Sequence, residues 1–279
     1  MINFYKYHGA GNDFIMINNM NGVVNFAPEY IKFLCDRHLG IGADGVILVE
    51  SSDKADCFMN YYNSDGTVAE MCGNGVRCVA KFFLEQTSSF KEELSIDTRA
   101  GIKKIICLTD GTYSVDMGAP VFTHNDFPAT NPITLENILF ECVSMGNPHA
   151  VGFVDDLNKH DISIIGPKIE NDKNFPNKIN MELVEKINPA RPHDSSGAGG
   201  DNYFKVKVWE RGCGATLACG TGACAVYSKI TKNPIGKTYG IDEITLEFPG
   251  GKLFLSGNDK GHVILRGPAE FVFKGEITL

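Results

Sequence analysis

Met71-Cys72-Gly73-Asn74-Gly75 and Ala218-Cys219-Gly220-Thr221-Gly222 are two copies of one pattern, a cysteine followed by Gly-X-Gly. The two cysteines stand 147 residues apart. Nine positions before each lies a polar residue with glycine close behind, in Asn63-Ser64-Asp65-Gly66 and Glu210-Arg211-Gly212. Downstream, Leu94-Ser95-Ile96-Asp97 running into Ala100-Gly101 matches Ile244-Thr245-Leu246-Glu247 running into Gly250-Gly251. Gly111-Thr112-Tyr113-Ser114-Val115 matches Gly261-His262-Val263-Ile264-Leu265 at the same offset of 150. Upstream, Gly11-Asn12 before Asp13-Phe14 parallels Gly146-Asn147 before Pro148-His149. Four matches in one order describe two related halves. The offset is far longer than the ~20–50 residues of a solenoid repeat.

Period-two alternation predicts strands at 14–17, 45–49, 55–61, 103–108, 140–144, 204–209 and 252–255. Helical patterns are fewer. Pro28 opens a helix over 28–35. Val76, Val79, Ala80, Phe83 and Leu84 form an apolar stripe directly after the first cysteine cluster. Ala223, Val226, Tyr227 and Ile230 repeat it after the second, with Pro234 and Gly236 as the stop. Each half therefore reads as a mixed sheet with one helix that begins at a cysteine, an α+β fold. The division is expected at 1–118 plus 268–279 for the first half and 119–267 for the second. Pro120, Pro128 and Pro132 mark the crossing. The Gly- and Pro-rich stretch 188–201, with His193 and Asp194, reads as a surface insertion.

Composition narrows the classes. The 279 residues suit two domains of roughly 130 residues each. Hydrophobic residues at 43% and charged residues at 22% are ordinary globular usage and argue against disorder. A net charge of −8, with no long basic run, makes nucleic acid a poor partner. No apolar run approaches the ~18 residues of a membrane span, and the N-terminal residues lack a signal-peptide pattern. Nine cysteines in a chain this size fit reduced thiols in the cytoplasm better than a disulfide scaffold.

A cysteine at a helix N-terminus meets unpaired backbone N–H groups and the positive end of the helix dipole. Both favour a thiolate, so a lowered thiol pKa is expected. The Gly-X-Gly turns expose N–H groups as an anion cradle. With the halves facing each other, a carboxylate held between the helix N-termini would place its α-carbon between two sulfurs. That arrangement suits inversion of an α-carbon, with one cysteine as thiolate base and the other as thiol acid. N–H groups aimed at the carboxylate would offset the weak acidity of the α-proton. Taken singly, a buried cysteine beside glycine is a packing residue more often than a catalyst. Cys35, Cys57, Cys78, Cys107, Cys142 and Cys224 are read that way, and Cys213 is given no role. Cys72 and Cys219 are set apart by pairing, symmetry and flanking glycines.

The ordered motifs closely resemble the diaminopimelate epimerase family. They are His8-Gly9-Ala10-Gly11-Asn12-Asp13-Phe14, Arg37-His38-Leu39-Gly40-Ile41-Gly42-Ala43-Asp44-Gly45, Asn63-Ser64-Asp65-Gly66 and Met71–Cys78. Met145-Gly146-Asn147-Pro148-His149, Phe175–Asn180, Trp209–Gly212 and Leu217–Gly222 complete the set. The resemblance implies two pseudo-symmetric domains, each a mixed sheet wrapped around a central helix, with the site in the cleft between them. It implies Cys72 and Cys219 as the catalytic acid/base pair. Gly73, Asn74, Gly220 and Thr221 would hold the reacting carboxylate. Asn12, Asn63, Asn147, Asn180, Glu210 and Arg211 would bind substrate, and His149 and Glu210 would tune the thiols. It implies a cytoplasmic homodimer acting on a small molecule in lysine and peptidoglycan-precursor synthesis, without cofactor or metal. Some members carry Gln where this chain has Gly45, which has no side chain to touch substrate.

Singly, each binding residue has a plainer reading: Asn12 and Asn147 as turn residues, Glu210 with Arg211 as a surface ion pair, His149 as a hydrogen-bonded core residue. Two rival functions share the cysteines. A proline or hydroxyproline racemase would leave Glu210, Arg211 and the asparagines without a task. A zinc or redox module would favour short C-x₂₋₄-C pairs, and no C-x-x-C occurs.

Overall fold

The computed structural model describes residues 1–187, 202–231 and 243–278. The stretch 188–201 with His193 and Asp194, and the helix stop at Pro234 and Gly236, lie outside the described residues. The chain divides into two compact units, Met1–Asp116 with Arg266–Leu279, and Met117–Leu265.

In the first unit the strands are β1 (Ile2–Gly9), β2 (Asn12–Asn19), β3 (Gly45–Glu50), β4 (Cys57–Asn63), β5 (Glu93–Asp97), β6 (Lys103–Cys107) and β7 (Tyr113–Asp116). Successive pairs are antiparallel, parallel, antiparallel, parallel, antiparallel and antiparallel. The C-terminal strand Glu270–Ile277 closes the free side of β1, antiparallel. Sequence patterning did not single out that strand; its residues are largely exposed, so the alternation of a half-buried strand is weak there.

The helices of this unit are α1 (Pro28–Cys35) and α2 (Gly73–Thr87). Ile15 and Ile17 of β2 and Val46 and Leu48 of β3 join Ile31 and Leu34 of α1 in one core. The alternate residues Phe14, Met16 and Ile47 are also fully buried. They face the other side of the sheet, where Ile47 meets Gly75 of α2. Covering both faces explains why these strands are apolar almost throughout. Helix α2 lies against β1 to β5 and β7, so the sheet wraps it.

One expectation for α2 needs correcting. Phe82, not Phe83, enters the core at 1% exposure and makes edge contacts with Tyr5 and Tyr7. A helix surrounded by its sheet has no single apolar stripe, so the best-fitting stripe in sequence chose the wrong phenylalanine. The same surroundings bury Asn74 and Arg77.

The second unit carries β8 (Ile133–Leu135), β9 (Ile138–Ser144), β10 (Pro148–Phe153), β11 (Asn180–Lys186), β12 (Tyr203–Glu210), β13 (Gly214–Thr216), β14 (Ile244–Phe248), β15 (Gly251–Gly257) and the first three residues of β16 (Val263–Gly267). From β9 to β10, β11, β12, β14 and β15 the pairs run antiparallel, parallel, antiparallel, parallel and antiparallel. This repeats the order of the first unit, and the registers repeat with it. Phe14 pairs Gly45 as His149 pairs Asn180, and Val46 pairs Tyr62 as Met181 pairs Trp209.

Helix α3 (Ile162–Glu170) was not foreseen, because Gly166 and Pro167 interrupt its pattern. Gly166 lies against the Trp209 ring, where a Cβ would come within 2.3 Å. Helix α4 (Gly220–Thr231) lies against β9, β10, β11 and β15. Its contacts with β9, β10 and β11 repeat those of α2 with β1, β2 and β3.

Candidate active site

Cys72 caps α2 in extended backbone (φ −137°, ψ 123°), and its sulfur accepts from the Gly75 N–H at 3.5 Å. Its carbonyl accepts the first helical bond, from Val76 N at 2.8 Å. Cys219 does the same at α4, with Gly222 N at 3.4 Å from the sulfur and Ala223 N at 2.9 Å from the carbonyl. In both units the thiol therefore lies among the first N–H groups of a helix. All nine cysteines are thiols. Cys35, Cys57, Cys78, Cys142 and Cys224 are buried, Cys107 is half-buried and Cys213 exposed. Burial pushes the thiols of Cys35, Cys57, Cys78 and Cys142 up to about 12, which removes them from thiolate chemistry at neutral pH.

Around Cys72 the first unit builds a chain of side chains. Asn12 Oδ1 lies 3.5 Å from the Cys72 sulfur and 3.3 Å from Asn74 Nδ2. Asn12 Nδ2 donates to Asp44 Oδ2 at 2.7 Å. Arg37 forks onto Asp13 at 2.8 and 3.1 Å and also reaches Asp44 Oδ1 at 2.8 Å. Lys6, 7% exposed, holds Asp13 from the other side at 2.6 Å. Burial raises Asp13, but Arg37 and Lys6 outweigh it and hold the carboxyl down at about 2. Asp44 goes the other way, raised by burial and by Asp13. Arg77 donates to the Gly73 carbonyl at 3.0 Å, to Asn74 Oδ1 at 2.9 Å and to the Pro268 carbonyl at 3.2 Å. It thereby fixes the turn that presents Gly73 and Asn74. Asn63, at the end of β4, donates to Thr67 Oγ1 at 3.0 Å. A side chain at Gly45 would strike the Tyr62 carbonyl at 2.5 Å and the Tyr61 ring at 2.6 Å, so in this chain the position admits only glycine.

The second unit surrounds Cys219 with charge. His149, fully buried, faces Glu182 Oε1 through Nδ1 at 2.7 Å and Asn147 Oδ1 through Nε2 at 3.1 Å. Asn180 ties β11 to the turn after β12: its Nδ2 donates to the Pro148 carbonyl at 2.8 Å, and its Oδ1 accepts from Arg211 N at 2.9 Å. Arg211 itself is exposed and donates to the Asn177 carbonyl at 3.1 Å. Glu170 braces the same turn, accepting from Trp209 Nε1 at 2.8 Å and Gly212 N at 3.0 Å. Glu210 accepts from Thr216 Oγ1 at 2.5 Å and is hydrogen-bonded to Cys219. Thr221 Oγ1 lies 3.4 Å from the Cys219 sulfur.

The lowered thiol pKa expected from the helix dipole is not what Cys219 shows. Burial, then the charges of Glu210 and Glu182, push this thiol well up, and the Thr221 hydroxyl and Gly222 N–H pull it only partly back. A helix N-terminus stabilises charge by a fraction of what desolvation beside two carboxylates costs. Glu210 is likewise raised, by burial first, against hydrogen bonds from Thr216 and Cys219 and the nearby His149. Cys219 is thus held as a thiol, the form of a proton donor.

Within the first unit the structure brings Asn12, Cys72, Gly73 and Asn74 together. Within the second it groups Asn147 with His149, Asn180 with Arg211, and Glu210 with Cys219, Gly220 and Thr221. Asp44, Arg77 and Glu182 are the residues that sequence reasoning passed over. Arg77 stands beside the apolar stripe of α2 and Glu182 within the buried strand β11, and neither charge is marked off in sequence from a surface one.

The family model for diaminopimelate epimerase matches residues 4–123 and 141–272. A diaminopimelate epimerase of Carboxydothermus hydrogenoformans is 42% identical over 288 residues, covering 99% of both chains. One from Methanococcus maripaludis strain C5 is 39% identical over 292 residues, again covering 99% of each. Among solved structures, a Bacillus anthracis phenazine biosynthesis protein of the PhzF family superposes with a TM-score of 0.69 at 16% identity, covering 100% of this chain and 99% of the other. A hydroxyproline epimerase from Agrobacterium vitis gives 0.64 at 14% identity, covering 98% of this chain and 91% of the other. These two structures share the fold. With the sequence matched along nearly its whole length and the motif cysteines capping both central helices, the chain belongs to the diaminopimelate epimerase family.

Proposed function

We propose that this protein interconverts LL- and meso-diaminopimelate with Cys72 and Cys219 on opposite faces of the α-carbon: one, as thiolate, removes the α-proton, and the other, as thiol, delivers its own proton to the opposite face. One observation carries the reading: in each unit the motif cysteine caps a central helix with its sulfur on the N–H three residues ahead. A thiol so placed takes or gives a proton beside N–H groups that bind an anion. The backbone of Gly73, Asn74, Gly220 and Thr221 would hold the reacting carboxylate. Asn12, Asn63, Asn147, Asn180, Glu210 and Arg211 would bind the rest of the substrate, Arg211 as a fork for a carboxylate. Glu210 and His149 set the protonation of Cys219, which begins as the acid in the direction where it donates.

Two-thiol chemistry of this kind asks for neither pyridoxal phosphate nor a metal ion. The setting proposed is a cytoplasmic homodimer serving lysine and peptidoglycan-precursor synthesis. Among the described residues no helix is long and apolar enough to cross a membrane.

The rival with a similar fold is a proline or hydroxyproline epimerase. Those substrates have no second amino-acid end, and they give the exposed Arg211 nothing to bind. Turnover of LL-diaminopimelate and of L-proline, measured side by side, separates the two. We expect turnover of diaminopimelate alone; turnover of proline alone would overturn the proposal.

A further inference from the structure

The repeat lets the ground beneath the two thiols be compared residue by residue. In the first unit the positions under the α2 N-terminus are Phe14 and Ile47; in the second the matching positions are His149 and Glu182. A Cβ placed on Gly75 would meet Ile47 Cδ1 at 3.1 Å, with the Met59 methyl at 2.8 Å. A Cβ placed on Gly222 would meet Glu182 Oε1 at 2.4 Å. Ile47 and Glu182 therefore fill the same place in the two halves. One is a hydrocarbon and the other a fully buried carboxyl.

That exchange has a cost. Among the described residues the buried Glu182 Oε2 finds no hydrogen-bond partner, and its Oε1 faces His149 Nδ1 at 2.7 Å. A half-satisfied buried carboxylate is worse for stability than an apolar side chain of similar size, and Ile47 shows that the fold accepts one there. The titratable groups that face Glu182 are His149 from β10, Cys219 at the start of α4 and Glu210 at the end of β12.

Taking Cys219 as the acid/base residue proposed above, we infer that Glu182 is a positioning residue that fixes His149 through Nδ1 and keeps Cys219 protonated between turnovers. Its carboxylate accepts the Nδ1–H, which sets the ring orientation and leaves Nε2 facing Asn147. Its charge also opposes ionisation of Cys219, behind burial and Glu210 in effect. The two thiols are thereby made unequal by a side chain that need not touch the substrate.

The test compares the wild type with Glu182→Gln and Glu182→Asp. The pH dependence of Cys219 alkylation by iodoacetamide is read by peptide mass spectrometry, beside the pH profile of kcat/KM for LL-diaminopimelate. Glu182→Gln keeps an oxygen for Nδ1–H and loses the charge. We expect its Cys219 alkylation midpoint to fall by about one pH unit, with the matching limb of kcat/KM moving alike. Glu182→Asp keeps the charge and loses the reach. We expect an unmoved midpoint with kcat lowered about tenfold and KM little changed. A folded Glu182→Gln with the wild-type midpoint would overturn the inference. If only Glu182→Asp folds, a midpoint that drops with the charge retained would overturn it too. The alkylation readout uses no substrate. A wild type that fails to epimerise diaminopimelate would thus count against the proposed function while the midpoints still decide the part played by Glu182.

Discussion

Asn12 donates its Nδ2 to Asp44 Oδ2 at 2.7 Å, and this bond determines which end of the Asn12 amide meets Cys72. A carboxylate only accepts, so the amide nitrogen must point to it and the oxygen must face the sulfur. The orientation at the thiol is thus set one residue away. Replacing Asp44 with Asn removes a charge-assisted bond worth about 1.5–3 kcal/mol and lets the Asn12 amide turn. The expected result for Asp44→Asn is a kcat/KM about 10–100-fold lower, with the fold intact by circular dichroism. Wild-type kcat/KM in a folded variant would show that Asp44 has no hold on the site.

Asp13 governs acid stability. Its carboxyl is held at about 2 in the folded chain, below the ordinary carboxylate range, after Arg37 and Lys6 outweigh burial. A depressed acid contributes stability above its unfolded pKa and loses it as pH falls through the folded value. The Asp13 contribution is therefore complete above roughly pH 4 and fades towards pH 2. Asp44, raised by burial and by Asp13, works in the opposite sense. Urea unfolding across this range should show stability falling with acid in the wild type, and a flatter dependence in Asp13→Asn. An unchanged slope in the variant would remove Asp13 from the account.

The corrected face of α2 makes its own prediction. Phe82 is 1% exposed and contacts Tyr5 and Tyr7, whereas Phe83 is only partly buried. Truncating a buried phenylalanine costs about 3–5 kcal/mol. Phe82→Ala should lose that much in denaturant unfolding, and Phe83→Ala clearly less. Equal losses would restore the stripe read from sequence.

Much of this molecule was legible before its structure, for identifiable reasons. The two Cys-Gly-X-Gly copies revealed the repeat because a helix that starts at a cysteine needs glycines in its first turn: at Gly75 and Gly222 the side chains beneath leave no room for a Cβ. Strands such as β3 and β12 stood out because one or both faces are packed. What escaped was of two kinds. Helix α3 carries Gly166 to fit against Trp209, and the need for that fit lies far away in sequence. Asp44, Arg77 and Glu182 act through other residues, and a charge that orients a neighbour looks in sequence like any other charge. The raised thiol of Cys219 escaped for the same reason. The helix dipole is local and readable, while Glu182 and Glu210 reach the sulfur only through the fold.

The central claim is that one cysteine removes the α-proton and the other delivers a different proton to the opposite face. The most direct measurement is α-deuterium incorporation from heavy water into LL- and meso-diaminopimelate, followed by NMR, for the wild type, Cys72→Ser and Cys219→Ala. The account predicts that the wild type epimerises either isomer with solvent deuterium at the inverted carbon. Each variant should lose nearly all epimerisation, because inversion needs an acid and a base on opposite faces. Near-normal epimerisation by either folded variant would contradict it.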